Sequence, residues 1–496
     1  MKSRILLLLS TALLVVLGCA APMPDREFHE EVMIESDFSS WVPESFKISP
    51  DNQRIAYTVQ LDDKQVVLVD GEEEGKRYDQ IEGYSFVFSP DSQRWAHVVT
   101  SDDGQFVVVD KKEEKTYEKI IPGSLIFSPD SKHVAYVAEA KEKQVAIIDG
   151  KEGNSYDEIA VGTLLFSPDS SRVAYLARAD EKWHLMEGEE QKYSYDQIDP
   201  YALVFSPDSR HLAYMAQSGG EAFVVVDGKE STHYDEIGIL TLTYSPDSQR
   251  MAYVARSGDN WFVVADDQEG KSYQYIFTSA PVFSPDSRHL AYMAWDDDRA
   301  FIVKDGEEGK RYYDIGNGTL VFSPDSQRVA YVAQVEESEH DHEHDQEQLF
   351  GRERLAEEEQ AQEFGKWRVV LDGVEQRKHD GIGISPLEFS PDSRLLAYAA
   401  LSGEKWYVVV NNKKQGRCDG VGYDTITFRA DSQRLAYVAQ IGEEFCVMVD
   451  GKQGKLYDGI ITNQGSKLIF DLEANLQYLA VEGNKIYRVT ESIISE

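Results

Sequence analysis

Short runs of β-forming residues alternate with turn residues along most of this chain, and the alternation repeats. Residues 123–159 show one unit. Ser124 to Phe127 is a short apolar run, and Ser128-Pro129-Asp130-Ser131 is a turn in which Pro presets φ while Asp and Ser bond nearby backbone. Val134 to Glu139 is a second run, Lys141-Glu142-Lys143 a polar turn, and Gln144 to Ile148 a third run closed by Asp149-Gly150. Tyr156-Asp157-Glu158-Ile159 supplies a fourth. The third runs, such as Phe223-Val224-Val225-Val226, are apolar without alternation, as a strand buried on both faces requires. Four short antiparallel strands in about 39 residues make one blade of a β-propeller.

The unit recurs. The Asp of the Ser-Pro-Asp-Ser turn falls at 51, 91, 130, 169, 208, 247, 286, 325, 392 and 431, in steps of 40, six times 39, then 67, then 39. A fixed period of this size marks repeated supersecondary units. Ala stands in the second strand of every copy (Ala56, Ala96, Ala135 and onward), which predicts close approach of neighbouring sheets. Tyr follows it in nine of the ten copies, His97 being the exception. An eleventh, degenerate unit runs from Ser466 to about Val489, and Val32 to Asp37 is a candidate for its missing fourth strand. The predicted fold is therefore all-β, a propeller array over residues 46–490 of about eleven four-stranded repeats. Typical propellers hold four to eight blades, which favours two rings; the unbroken 39-residue step keeps one large ring open.

The phrase Phe322 to Tyr331 (Phe-Ser-Pro-Asp-Ser-Gln-Arg-Val-Ala-Tyr) closely resembles the WD-like repeat of TolB-type, prolyl-oligopeptidase-type and tricorn-type propellers. The resemblance spans about Phe46 to Val489. It is specific for fold and says little of activity, because propellers host unrelated functions.

The ends and the charge narrow the setting. Lys2 and Arg4 precede an apolar stretch, Ile5 to Leu17, which reads as a signal peptide over 1–18. Val16-Leu17-Gly18-Cys19 resembles a bacterial lipobox, which implies lipid on Cys19 and a tether over 19–45. The expected location is the cell envelope, with membrane association through the lipid alone. The formal charge of −38 argues against direct binding of nucleic acid or an anionic membrane surface and favours solubility, cations or basic partners; the partners expected of the scaffold are proteins or peptides. Cys418 and Cys446 leave one disulfide open as a possibility and exclude a disulfide framework.

Candidate chemistry is sparse. The 67-residue step carries 28 extra residues, an insertion at 336–365 inside the eighth repeat with 12 acidic and two basic residues. Within it, His340, His342 and His344 alternate with carboxylates, a donor set suited to a divalent metal such as Zn²⁺, Ni²⁺ or Cu²⁺; a solvated acidic loop is the competing reading. Acidic pairs such as Asp62-Asp63, Asp180-Glu181 and Asp296-Asp297-Asp298 mark the turns between second and third strands, as a face for cations or a basic partner or simply as tolerated surface charge. No nucleophile elbow, P-loop or Cys-based zinc motif occurs, so no catalytic residue and no resident cofactor is assigned. The repeated Tyr-Asp pairs, such as Tyr156-Asp157, read as architecture, because a catalytic pair has no need of many copies. His133, His211 and His289 occupy a position where other copies have Arg and read as surface substitutions. The stretches before the repeated phrase do vary: Glu82-Gly83-Tyr84, Val161-Gly162-Thr163, Asp199-Pro200-Tyr201, Thr278-Ser279-Ala280, Asn317-Gly318-Thr319. These are the better binding candidates. The expectation is a non-catalytic scaffold; a metal-dependent lactonase- or glycan-cleaving propeller and a carbohydrate-binding surface are the alternatives.

Overall fold

The computed structural model describes residues 26–35, 38–42, 44–277, 280–335, 366–383, 387–462 and 466–493. They form eleven antiparallel sheets in chain order, which build one eleven-bladed β-propeller. Blade 3 is representative: Lys119–Ile120 and Ile126–Phe127 both pair with Val134–Ala140, which pairs with Lys143–Ile148, which pairs with Lys151–Tyr156. Two features differ from the sequence expectation. The fourth strand ends at Tyr156, and Glu158–Ile159 already belongs to blade 4, so the chain crosses between blades at Asp157. The first strand is broken in two by a short turn.

The second and third strands carry the core. Ala135, Tyr136, Val137 and Ala138 are buried, as are Val145, Ala146 and Ile147, because each blade is covered on both faces by its neighbours. The recurring second-strand Ala is fully buried in all ten copies, the close approach its size predicted.

The repeated turn joins blades as well as strands. Ser128 Oγ donates to Asp130 Oδ1 (2.6 Å) and accepts from His133 N (2.9 Å), and Asp130 Oδ1 also accepts from Lys132 N. Asp130 N then donates to Ser170 Oγ of blade 4 at 2.9 Å. The same backbone-to-serine link runs from Asp51 to Ser92, from Asp91 to Ser131, and on to Asp392 and Ser432. Each accepting Ser sits at positive φ (Ser131 +65°, Ser170 +64°). Gly would tolerate that conformation better but has no hydroxyl to offer the next blade. Arg94 completes the joint by stacking over Phe127 and donating to Ser131 O.

Blade 11 closes the ring. Its fourth strand is Arg26–Glu35, paired antiparallel with Lys485–Ile493. The whole of this segment falls in the stretch expected to be tether, so the fold begins earlier than residue 46; its end overlaps the anticipated Val32–Asp37. The reason is edge satisfaction: the last repeat has three strands of its own, and the N-terminal strand pairs its exposed edge. Arg26 forms a buried ion pair with Glu491 and donates to Lys452 O and Val447 O of blade 10. Glu30 takes Lys455 (2.7 Å) and Tyr457 (2.5 Å), the role Glu113 and Glu152 play for Tyr78 and Tyr117 in earlier blades. On the evidence of this closure and the eleven consecutive sheets, the ring is single, against the preference for two. Cys418 and Cys446 are both free and buried, and burial pushes each thiol up to about 11.

Candidate binding surface at the axial turns

The break in each first strand is a built turn. In blade 2, Glu82 N donates to Val98 O, Ser85 N to Glu82 O, and Val98 N to Ser85 Oγ, so a side chain replaces the missing ladder acceptor. Ser124, Thr163, Thr241, Thr319 and Thr425 repeat that bond at 3.0–3.2 Å. The two residues at each tip are thereby pushed out from the free edge of the sheet. That edge faces the propeller axis. First strands of neighbouring blades approach within 8 Å at blades 1 to 3, whereas fourth strands are bridged by Lys, Tyr and Glu side chains. With sheets about 10 Å apart at mid-blade, eleven blades leave an opening of order 20 Å between opposing first strands.

The tips are where the described residues expose large apolar groups. Of nine such residues, six lie here: Tyr84, Val161, Tyr201, Ile239, Leu240 and Tyr423, each 56–70% exposed. Scattered exposed hydrophobics are ordinary, and six gathered at one repeated position are not. Leu240 stands out further. Its φ is +61°, at the site where Gly123, Gly162 and Gly318 stand in their blades. A leucine there carries strain of about 1 kcal/mol and still points to solvent. One carboxyl also departs from the repeat at this edge: Glu388 occupies a first-strand position held by Ile126 or Val204 elsewhere, and burial, then the charge of Asp424, raises its pKa.

The variable stretches named from sequence are therefore the axial turns, with Thr278 and Ser279 outside the described residues. Ile239-Leu240 and Tyr423 were missed; a large apolar residue beside Gly in a turn was the available signal. Other candidates fall elsewhere. Cys19, His340, His342 and His344 lie outside the described residues, within which no group of three metal-ligating side chains converges. The acidic pairs sit at hairpin tips whose geometry favours them: Asp180 and Glu181, and Asp297 and Asp298, have φ of +50° to +64°. Asp157 of the Tyr-Asp pair holds Lys143 at 2.6 Å. His133, His211 and His289 bond Asp149, Asp227 and Asp305 at 2.6–2.7 Å, the pairing Arg94 makes with Asp110, so they are members of the inter-strand joint and more than surface substitutions.

No family profile and no curated protein matches the sequence. Solved structures do resemble it. TolB from Acinetobacter baumannii is 18% identical over 45% of this chain and 61% of its own length, with a TM-score of 0.24. A eukaryotic initiation factor is 13% identical over 81% of this chain and 98% of its own, with a TM-score of 0.38. The β-propeller domain of the Trilobed protease from Pyrococcus furiosus is 12% identical over 62% and 99%, with a TM-score of 0.28. The chain thus matches under two thirds of the TolB structure, and likenesses this distant concern the propeller fold alone.

Proposed function

We propose that this chain is a non-catalytic binding scaffold that holds a polypeptide segment in its axial opening. The observation that carries the reading is the gathering of Tyr84, Tyr201, Tyr423, Ile239 and Leu240 at the axial turns. An opening of order 20 Å admits a helix, whose diameter with side chains is about 10–12 Å. Tyrosine suits such a contact, giving large area at low entropic cost with a polar end for hydrogen bonds. The net charge of −38 favours a basic segment. Lipid on Cys19 would keep the scaffold at a bacterial envelope membrane.

The test is capture from native envelope extracts, comparing the wild type with the combined variant Tyr84→Ser, Tyr201→Ser, Leu240→Gly, Tyr423→Ser. The expected result is a defined protein held by the wild type and lost by the variant, with unchanged circular dichroism. Equal recovery by both, or no partner together with hydrolytic turnover of a substrate panel, overturns the reading.

Glu388 favours one alternative, a channel enzyme using a first-strand carboxyl whose pKa is raised by burial and by the charge of Asp424. Turnover abolished in Glu388→Gln would support it; turnover unaffected by that change would remove Glu388 from consideration.

A further inference from the structure

Blades 7 and 8 meet at a cleft that breaks the repeat in two ways at once. The cavity, of about 480 Å³, is lined by Arg299, Lys310, Arg311, Tyr313, Arg368 and Glu375, together with Tyr312 and Val335. Its lining holds four cations and one carboxylate, with Asp296, Asp297 and Glu308 beside Arg311 at 3.5–3.9 Å.

The first departure is Arg368. Its cross-strand partner is Ala333, and the equivalent pairs elsewhere are Ala138 with Val145, Ala216 with Phe223, Ala255 with Phe262 and Ala294 with Phe301. A guanidinium therefore stands where most blades put an apolar side chain. Its Nε is buried without a hydrogen-bond partner among the described residues, 3.6 Å from a Glu375 oxygen, while Nη1 donates to Gln376 O. A buried charged donor left this way is costly unless something accepts from it.

The second departure is Tyr313. In blades 1, 3, 4, 8 and 9 a Lys opening the third strand pairs with the Asp that follows the fourth, as in Lys64–Asp79, Lys143–Asp157 and Lys182–Asp196. Blade 7 keeps the cation as Arg299 but has Tyr313 in the Asp position. Arg299 stacks over the Tyr313 ring at 5.4 Å and makes no ion pair among the described residues. The remaining charges are shared loosely. Glu375 serves Lys310 at 2.5 Å as well as Arg368, and Arg311 stands 3.5–3.9 Å from Glu308, Asp296 and Asp297.

We infer that this cleft is a binding site for a small soluble ligand bearing phosphate groups, held chiefly by Arg299 and Arg368 with Lys310 and Arg311 at its rim. The ligand's oxygens replace the carboxylate lost at Tyr313 and accept from Arg368 Nε. Guanidinium groups suit phosphate through parallel N–H donors, and the volume is that of a small-molecule pocket. The site lies on third and fourth strands, away from the axial turns, so its occupancy and the polypeptide reading are tested separately.

Two substitutions restore the repeat and should leave folding intact: Arg368→Phe, the residue blades 5, 6 and 7 use, and Tyr313→Asp. Isothermal titration of the full chain with inorganic pyrophosphate should show saturable binding, weakened at least tenfold in each variant, with thermal midpoints no lower than wild type. Wild-type titration without saturable heat overturns the inference, as does affinity unchanged by both substitutions. Co-sedimentation with phosphatidylglycerol vesicles that depends on Arg368, without pyrophosphate binding, would overturn the soluble-ligand assignment.

Discussion

His97 gives the sharpest test of how the blades are held together. It takes the core position that Tyr136, Tyr175 and Tyr214 fill in later blades, and it is 1% exposed. Its ring stacks on Phe86 at 6.1 Å and meets Tyr78 edge-on at 6.5 Å. Neither ring nitrogen has a hydrogen-bond partner among the described residues. Burial lowers its pKa from 6.5 to about 4. The folded state therefore holds a neutral ring, while the unfolded chain takes up a proton near pH 6.5. Stability from this group is fully present above pH 6.5 and is lost as pH falls toward 4, because there the unfolded state binds more protons. A shift of this size corresponds to about 3 kcal/mol in all, of which about 2 kcal/mol is lost between pH 7 and pH 5. His97→Tyr restores the repeat residue and removes the proton-linked loss. Urea unfolding at pH 7, 6 and 5, followed by tryptophan fluorescence, should show the variant's advantage growing by about 2 kcal/mol over that range. Other acid-sensitive groups act equally in both proteins and cancel in the difference. Wild-type and variant stabilities that fall in parallel from pH 7 to pH 5 would refute the reasoning.

Ser170→Ala removes the acceptor for Asp130 N and should cost about 1–2 kcal/mol in urea unfolding, with Ser171→Ala, outside the inter-blade link, costing less. Arg26→Met leaves Glu491 buried without its cation and should destabilise ring closure by about 3–5 kcal/mol, whereas Arg26→Met with Glu491→Leu should recover most of that by thermal unfolding. Leu240→Gly relieves the left-handed leucine and should raise stability by up to about 1 kcal/mol while weakening partner capture in the pull-down.

The recurring residues were legible because each has a local cause. Pro129 and Asp130 read as a turn, Ala135 as close packing, and the unbroken apolar third strands as burial on both faces, and each reading survives in the structure. What could not be read was anything set by contact between repeats. Ser131 looked like a turn residue, and only the structure shows its hydroxyl accepting from Asp91 in the preceding blade. Arg26–Glu35 falls in the stretch read as tether, with only Val32 onward offered as a closing strand, since its partner edge lies at least 450 residues away in sequence. The axial turns were visible as variable, but the exposure of Ile239, Leu240 and Tyr423 depends on which edge of the sheet they leave. Arg368 and Tyr313 were invisible as a pair because their adjacency arises only where blade 7 meets blade 8.

The size of the ring follows from the side chains that bridge blades. From first to fourth strand a blade is about 14 Å wide, three strand spacings. Eleven blades turn about 33° each, so the gap between neighbours widens by about 8 Å from the inner to the outer edge; in a six-bladed ring the widening would be about 15 Å. The inner joint here is a backbone amide on a serine hydroxyl at 2.9 Å, which demands close contact. The outer joint is Tyr117 on Glu152, or Lys310 on Glu375, pairs of long side chains able to reach across a gap of the smaller size. Five or six blades would pull those outer pairs apart while the serine links held the inner edges together. In one ring of eleven both joints close at once.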